Sequence, residues 1–214
     1  MVEELLASQK FRCQVLCGTK EWFERSKTVN LSGIAEIELV EQFELEKISQ
    51  LITPHEVLAV FSQREIIAPV FEKKLSLILD GIRDPGNMGT IIRTADWFAI
   101  ENIFCSQDSV DCYNPKVVQA TMGSLARVNI VYTGLYDFIH SNDSVRVYAA
   151  TLSGKNLSAI GKLAEGMVVI GNESTGIRDN ILQLVKYDIS IPRFGRAESL
   201  NAAVACGIIL ASIR

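Results

Sequence analysis

The feature that most constrains the fold is a repeating alternation in the later part of the chain. Short apolar runs at Leu75–Leu79, Asn102–Cys105, Val128–Val131, Arg146–Ala150, Met167–Ile170 and Ile189–Ile191 recur roughly every 20–25 residues. Helical patterns fall between them, at Asn87–Phe98, Pro115–Leu125, Asp179–Val185 and Ser199–Ile213. Runs that are apolar throughout, without polar alternation, belong to strands buried on both faces. Strands joined by helical crossovers run parallel, so this segment predicts an α/β domain built on a mainly parallel sheet. Ligands of such sheets bind beyond the carboxyl ends of the strands, so informative residues should follow the apolar runs.

Residues 1–65 read as a smaller α/β module. Val2, Leu5 and Leu6 have the spacing of a helix face. Phe11–Leu16, Glu36–Val40 and Val57–Phe61 read as strands, with helices from Gly18 to Lys27 and from Glu44 to Leu51. The first helical pattern has no cap or lead-in, as expected of a module whose true start lies upstream. Pro69 and neighbouring charges break the pattern, so residues 66–74 read as a linker and 75–214 as the second domain.

Composition narrows the class. Hydrophobic residues make up 48% and charged residues 21%, which excludes global disorder and collagen-like repeats. Residues 1–70 carry 7 Lys and Arg against 11 Asp and Glu, whereas 71–214 carry 14 of each. No bulk positive field advertises nucleic acid, so polyanion binding requires a local patch. The longest apolar stretch, Ala202–Ala211, is far below the ~18 residues that span a bilayer. The acidic start Met1-Val2-Glu3-Glu4 is no secretory signal. Five cysteines without a Cys-x-x-Cys pair predict reduced thiols in the cytoplasm and no zinc site or other metal.

Three loops after apolar runs carry the chemistry. The first runs from Asp80 through Gly81, Arg83, Asp84-Pro85-Gly86-Asn87 and Gly89 into a helix bearing Arg93. Its glycines do not match Gly-x-Gly-x-x-Gly, and no phosphate-loop Gly-Lys-Ser/Thr is present, which sets an NAD-type oxidoreductase aside. In the second, Gly171-Asn172-Glu173-Ser174-Thr175-Gly176 brackets one acid between glycines. A plain helix start, with Ser174 or Thr175 as cap and Glu173 favoured by the dipole, explains that loop equally well. The third runs Ile191-Pro192-Arg193-Phe194-Gly195-Arg196 to Ser199-Leu200-Asn201, before a helix of small residues. Ser199 and Asn201 are placed in the first turn of that helix, where free N–H groups favour an anion, or Ser199 is its ordinary cap.

Taken together, Asn87-x-Gly89-x-x-x-Arg93-Thr94-Ala95, Gly171-x-Glu173-x-x-Gly176 and Ile191-Pro192 followed by Ser199-Leu200-Asn201 resemble the SpoU/TrmH family of RNA ribose methyltransferases, within the SPOUT superfamily. The resemblance covers roughly residues 75–214, and the first module is similar to the small substrate-binding domain that precedes the catalytic domain in many members. It implies a C-terminal trefoil knot and transfer of methyl from S-adenosylmethionine to a ribose 2′-hydroxyl. Asn87, Arg93, Glu173, Ser199 and Asn201 are implied at the catalytic site. Gly171, Ile191 and Leu200 are implied at the cofactor, with Thr151, Leu152 and Gly154 lining the same pocket. Arg83, Arg178, Arg193 and Arg196, with Phe194 as a stacking surface, are the candidate RNA contacts. The two-module layout favours rRNA over tRNA as substrate. A catalytically dead RNA-binding or ribosome-assembly module is the rival reading, against which the intact Asn87, Arg93, Glu173 and Asn201 speak. The helix from Ser199 to Ile213 is apolar all round, and that from Thr90 to Phe98 nearly so. With the twofold symmetry of the family, this implies a homodimer packed through these helices.

Overall fold

A computed structural model of the chain describes residues 1–8, 10–49, 51–64, 70 and 73–214. It divides into two compact units, Met1–Ile66 and Ile67–Arg214. Most of the linker expected at 66–74 lies outside the described residues.

In the first unit, α1 (Val2–Ser8) precedes β1 (Cys13–Gly18), α2 (Lys20–Arg25), β2 (Glu36–Leu39), α3 (Gln42–Ile48) and β3 (Val57–Phe61). The sheet order is β2-β1-β3, with β2 parallel and β3 antiparallel to β1. Thr19 opens α2, its Oγ1 accepting the Trp22 N–H at 3.3 Å. The cap sets Trp22 into a small core with Cys13 and Leu16.

The second unit runs β4 (Leu75–Asp80), α4 (Pro85–Trp97), β5 (Asn102–Cys105), α5 (Pro115–Thr121), β6 (Asn129–Tyr132), α6 (Leu135–Ser141), β7 (Val147–Asn156), β8 (Gly166–Gly171), α7 (Asp179–Leu182), β9 (Tyr187–Ser190) and α8 (Ala202–Ile213). Its six strands take the order β6-β5-β4-β8-β7-β9, and every neighbouring pair is parallel. The central strand β4 is buried along its whole length, which is why its sequence shows no alternation. Its side chains still divide between two cores. Leu75, Leu77 and Leu79 pack with α4 and α8 on one face, whereas Ile78 packs with α6 and Ile181 of α7 on the other. The result is three layers, with helices on both faces of the sheet. All five cysteines are free thiols. Burial pushes the Cys206 thiol up to about 12 and Cys112 to about 11.

Four boundaries differ from the sequence expectation. Helix α4 begins at Pro85, two residues early, because Asp84 caps it and proline suits the first helical position. Helix α8 begins at Ala202, not at Ser199. Asn201 is its cap, with Oδ1 accepting the N–H groups of Ala203 and Val204, which leaves Ser199 outside the helix. Helix α6 is only seven residues long and was not expected. Strand β7 continues past Ala150 to Asn156, and Ile189 of β9 is level with both Ala150 and Lys155. Residues 151–154 therefore bulge out of the ladder at its carboxyl end. Among the described residues, no helix is long and apolar enough to cross a membrane.

Helix α4 crosses α5 at Gly89. A Cβ there would lie 2.4 Å from the Ala120 Cβ and 2.8 Å from the Val117 carbonyl oxygen. The Gly89→Ala variant is therefore expected to lose about 1–3 kcal/mol through overpacking. A thermal melt showing no loss would mean that the two helices separate freely.

Candidate active site

Because all six strands of the second unit are parallel, their carboxyl ends lie at one edge, and the three loops leave from that edge. The Asp84 carboxylate accepts the Asn87 N–H at 2.8 Å and fixes the first turn of α4. Asn87 then links the other two loops. Its Nδ2 donates to Glu173 Oε1, and its Oδ1 accepts from Asn201 Nδ2 at 2.7 Å. Asn201 Oδ1 accepts the N–H groups of Ala203 and Val204 at 3.0 and 3.2 Å. The direction of this chain is forced at both ends. A carboxylate only accepts and a backbone N–H only donates, so each amide has one permitted orientation.

The second loop is closed by its own backbone. Asn172 and Gly176 exchange N–H···O bonds at 3.1 and 2.9 Å, and Asn172 Oδ1 accepts the N–H groups of Ser174 and Thr175. Asn172 Nδ2 donates to the Gly81 carbonyl at 2.9 Å, tying the second loop to the first. At Gly171 a Cβ would stand 2.4 Å from the Gly176 carbonyl carbon, so only glycine permits the closure. Neither Ser174 nor Thr175 caps α7; Arg178 occupies that position.

Asn172 and Asp80 were not singled out from sequence. Asp80, at the end of β4, is 1% exposed. It accepts the Arg178 N–H at 2.8 Å and Nε–H at 2.7 Å, and its carboxylate pairs with the guanidinium a second time. A buried carboxylate demands such a partner. The Asp80 hydrogen bond holds the Arg178 guanidinium above its ordinary pKa, aided by the charges of Asp80 and Asp108. Arg83 donates to Asp108 at 3.0 Å. Two of the candidate RNA contacts, Arg83 and Arg178, are thus engaged by carboxylates of the chain itself. Arg193, Phe194 and Arg196 remain exposed, Phe194 by 96%.

Arg93 is exposed on α4 and has no hydrogen-bond or ionic partner among the described residues. Six residues of helix separate it from Asn87 by about 9 Å along the axis and about 120° around it. Glu173 bonds Asn87, not Arg93. Ser199 lies exposed in the irregular stretch before α8.

Where S-adenosylmethionine would sit, the residues fit it. The β7–β8 register ends at Ala149 opposite Val169, and Thr151 follows in the bulge at the carboxyl end of the sheet. Thr151 Oγ1 is buried and has no partner among the described residues. Leu152 and Leu200 expose apolar side chains at the same edge. Residues 192–200 form no backbone–backbone hydrogen bond among the described residues, and the Ala197 carbonyl accepts from Arg193 Nη1 at 3.5 Å, so most main-chain donors and acceptors of the stretch are free for a ligand. An orphan hydroxyl, free peptide groups and aliphatic walls suit a ligand that joins a polar adenine edge to an apolar face. Gly154 has a structural role as well. A Cβ there would lie 2.6 Å from the Asp188 carbonyl carbon, so glycine lets β9 pass against β7.

The parallel sheet, the glycine-closed loop and the Glu173–Asn87–Asn201 chain meet at one edge of an α/β domain. Residues 74–211 match the model of the SpoU rRNA Methylase family, and the chain belongs to that family. It is similar to the 23S rRNA (guanosine(2553)-2′-O)-methyltransferase RlmP of Bacillus subtilis, 29% identical over 78% of this chain and 68% of that protein. Among solved structures, a TrmH-family protein from Porphyromonas gingivalis has a TM-score of 0.88 at 35% identity, covering 100% of this chain and 86% of its own. An AdoMet-bound rRNA methyltransferase from Sinorhizobium meliloti has a TM-score of 0.85 at 28% identity, over 98% and 83% of the two chains. The chain is accordingly an S-adenosylmethionine-dependent RNA methyltransferase.

Asn201 has two separable duties. Asn201→Ala removes the α8 cap and is expected to cost about 1 kcal/mol, which for a chain of this size lowers Tm by about 2–4 °C. Asn201→Asp keeps the cap while losing the donor to Asn87, so its Tm should stay near that of the parent. Equal melting losses in the two variants would refute the division.

Proposed function

We propose that this chain methylates a ribose 2′-hydroxyl in rRNA of the 23S type. The observation that carries the reading is the Glu173–Asn87–Asn201 chain, which ties three loops at the start of the helix that carries Arg93. Preference for rRNA over tRNA is supported by the S. meliloti rRNA methyltransferase, whose likeness covers 98% of this chain. The first unit then serves as the RNA-binding module.

Thr151, Leu152, Gly154, Gly171, Ile191 and Leu200 would hold the cofactor, which when bound supplies the electrophilic methyl group. The chain's own residues bind and orient the ribose. Arg93 acts as a donor, because a guanidinium offers five N–H groups and no acceptor. It holds a phosphate next to the target and stabilises negative charge developing on the 2′-oxygen. Glu173 and Asn201 hold Asn87 in place, and Ser199 contributes a hydroxyl from the exposed stretch before α8. Arg193, Arg196 and Phe194 contact unpaired nucleotides on the exposed third loop.

Arg93 points to a second subunit. Its displacement around α4 from Asn87 suits a site completed by a partner copy. The same helix exposes Trp97 by 85%, and α8 exposes Val204 by 51% and Ile208 by 38%. An apolar face of this kind, continuous with a functional arginine, fits a twofold dimer. The free thiols fit a reducing cytoplasm.

Arg93→Ala should lower methyl transfer to rRNA fragments by about 100-fold or more while calorimetric binding of S-adenosylmethionine stays intact. Parental activity in this variant would overturn the role given to Arg93. For assembly, light scattering at micromolar concentration should give twice the 23.6 kDa chain mass. A single chain mass would overturn the dimer.

A further inference from the structure

No sequence motif marks the loop between β5 and α5, yet this loop touches both of the loops that carry the site. Ser106 is 2% exposed. Its Oγ accepts the Gly81 N–H at 2.9 Å and lies 3.0 Å from the Ser109 Oγ. Val110 N–H donates to the Ile82 carbonyl at 2.9 Å. Two residues of the loop, Ser106 and Val110, therefore clasp the backbone of the first loop at Gly81 and Ile82. Between them sits Asp108. Its Oδ2 accepts from Arg83 of the first loop at 3.0 Å, and its Oδ1 lies 3.5 Å from Arg178, which follows the second loop.

We propose that Asp108 is a positioning residue for methyl transfer. By bridging Arg83 and Arg178 it sets the first loop against the second and keeps the Asn87–Glu173 hydrogen bond in register. This rests on the reading of the chain as an RNA ribose methyltransferase. Arg83 has no other ionic partner among the described residues, whereas Arg178 is also held by Asp80. Asp108 is thus the one group that couples the freer arginine to the anchored one. Arg83 is followed directly by Asp84, the cap of α4, so a shift of Arg83 passes into the helix that carries Asn87.

The contacts of the Asp108 carboxyl favour its ionised form. Its hydrogen bond from Ser106 lowers its pKa most, with further help from Arg83 and Arg178. A partly exposed ion pair adds little to stability. A small displacement of reacting groups, by contrast, costs rate steeply. The bridge therefore matters to rate far more than to folding.

The test is Asp108→Asn in the full chain. The expected result is a fall in kcat of about tenfold or more, with the KM for RNA, the affinity for S-adenosylmethionine and Tm all close to the parent values. Asp108→Glu should recover part of kcat. The Asn87 side-chain amide resonance, identified by its loss in Asn87→Ala, should move away from its hydrogen-bonded position in Asp108→Asn. Unchanged kcat overturns the proposal. So does a lower KM for RNA with a steeper salt dependence, which would make Asp108 a shield over RNA-binding arginines. If Asp108→Asn does not fold, Arg83→Met cuts the same link from the surface and must show the same loss of kcat at unchanged KM. If the parent protein transfers methyl to no RNA, the functional reading fails, and the amide resonance still decides the positioning role.

Discussion

One primary amide holds the site of this molecule together. Asn87 lies 86 residues from Glu173 and 114 from Asn201, and its two polar atoms serve one each. A carboxylate or an alcohol cannot replace it. A carboxylate in its place would offer acceptors to Glu173, and a hydroxyl would have to donate to Glu173 and accept from Asn201 through one oxygen on a shorter side chain. The amide also fixes the direction of every bond beyond it, down to the peptide groups that open α8. Three loops that share no sequence neighbourhood become one surface through this group.

Much of the fold was legible before any coordinates. The strands of the second unit stood out as apolar runs because both faces of the sheet are covered, so polar alternation disappears where burial is complete. The catalytic candidates Asn87, Glu173 and Asn201 were found as separate motifs, and the structure joins them into one chain. What stayed hidden has physical causes. Asp80 and Asn172 sit at strand ends, where polar residues are ordinary, and only their partners in space make them distinctive. Arg178 looks like a free loop cation until the buried carboxylate beneath it is seen. Helix α6 is too short to impose a period. The start of α8 was misplaced because Ser199 and Asn201 are both good caps, and only the side-chain bond decides between them.

The glycines of the motifs carry packing, not flexibility. Gly89 lets α4 rest on α5, Gly154 lets β9 pass β7, and Gly171 lets a loop close on its own backbone. Each stands within three residues of a polar site residue. Close backbone contact and polar chemistry are therefore coupled in this fold. The scaffold brings chain segments to van der Waals distance, and the side chains next to those contacts inherit the precision.

The strand order has a consequence for the way the chain comes together in time. Strand β4 pairs with β8, and the Gly81 carbonyl waits for Asn172, 91 residues further on. A growing chain emerging from its amino end would present β4 with one flank unpaired through the synthesis of six intervening elements. During that interval a strand that ends up buried along its whole length is an open edge. Pairings this distant in sequence make for slow folding. The first loop would acquire its working shape only after the third had been made, so such a protein becomes competent in one late step.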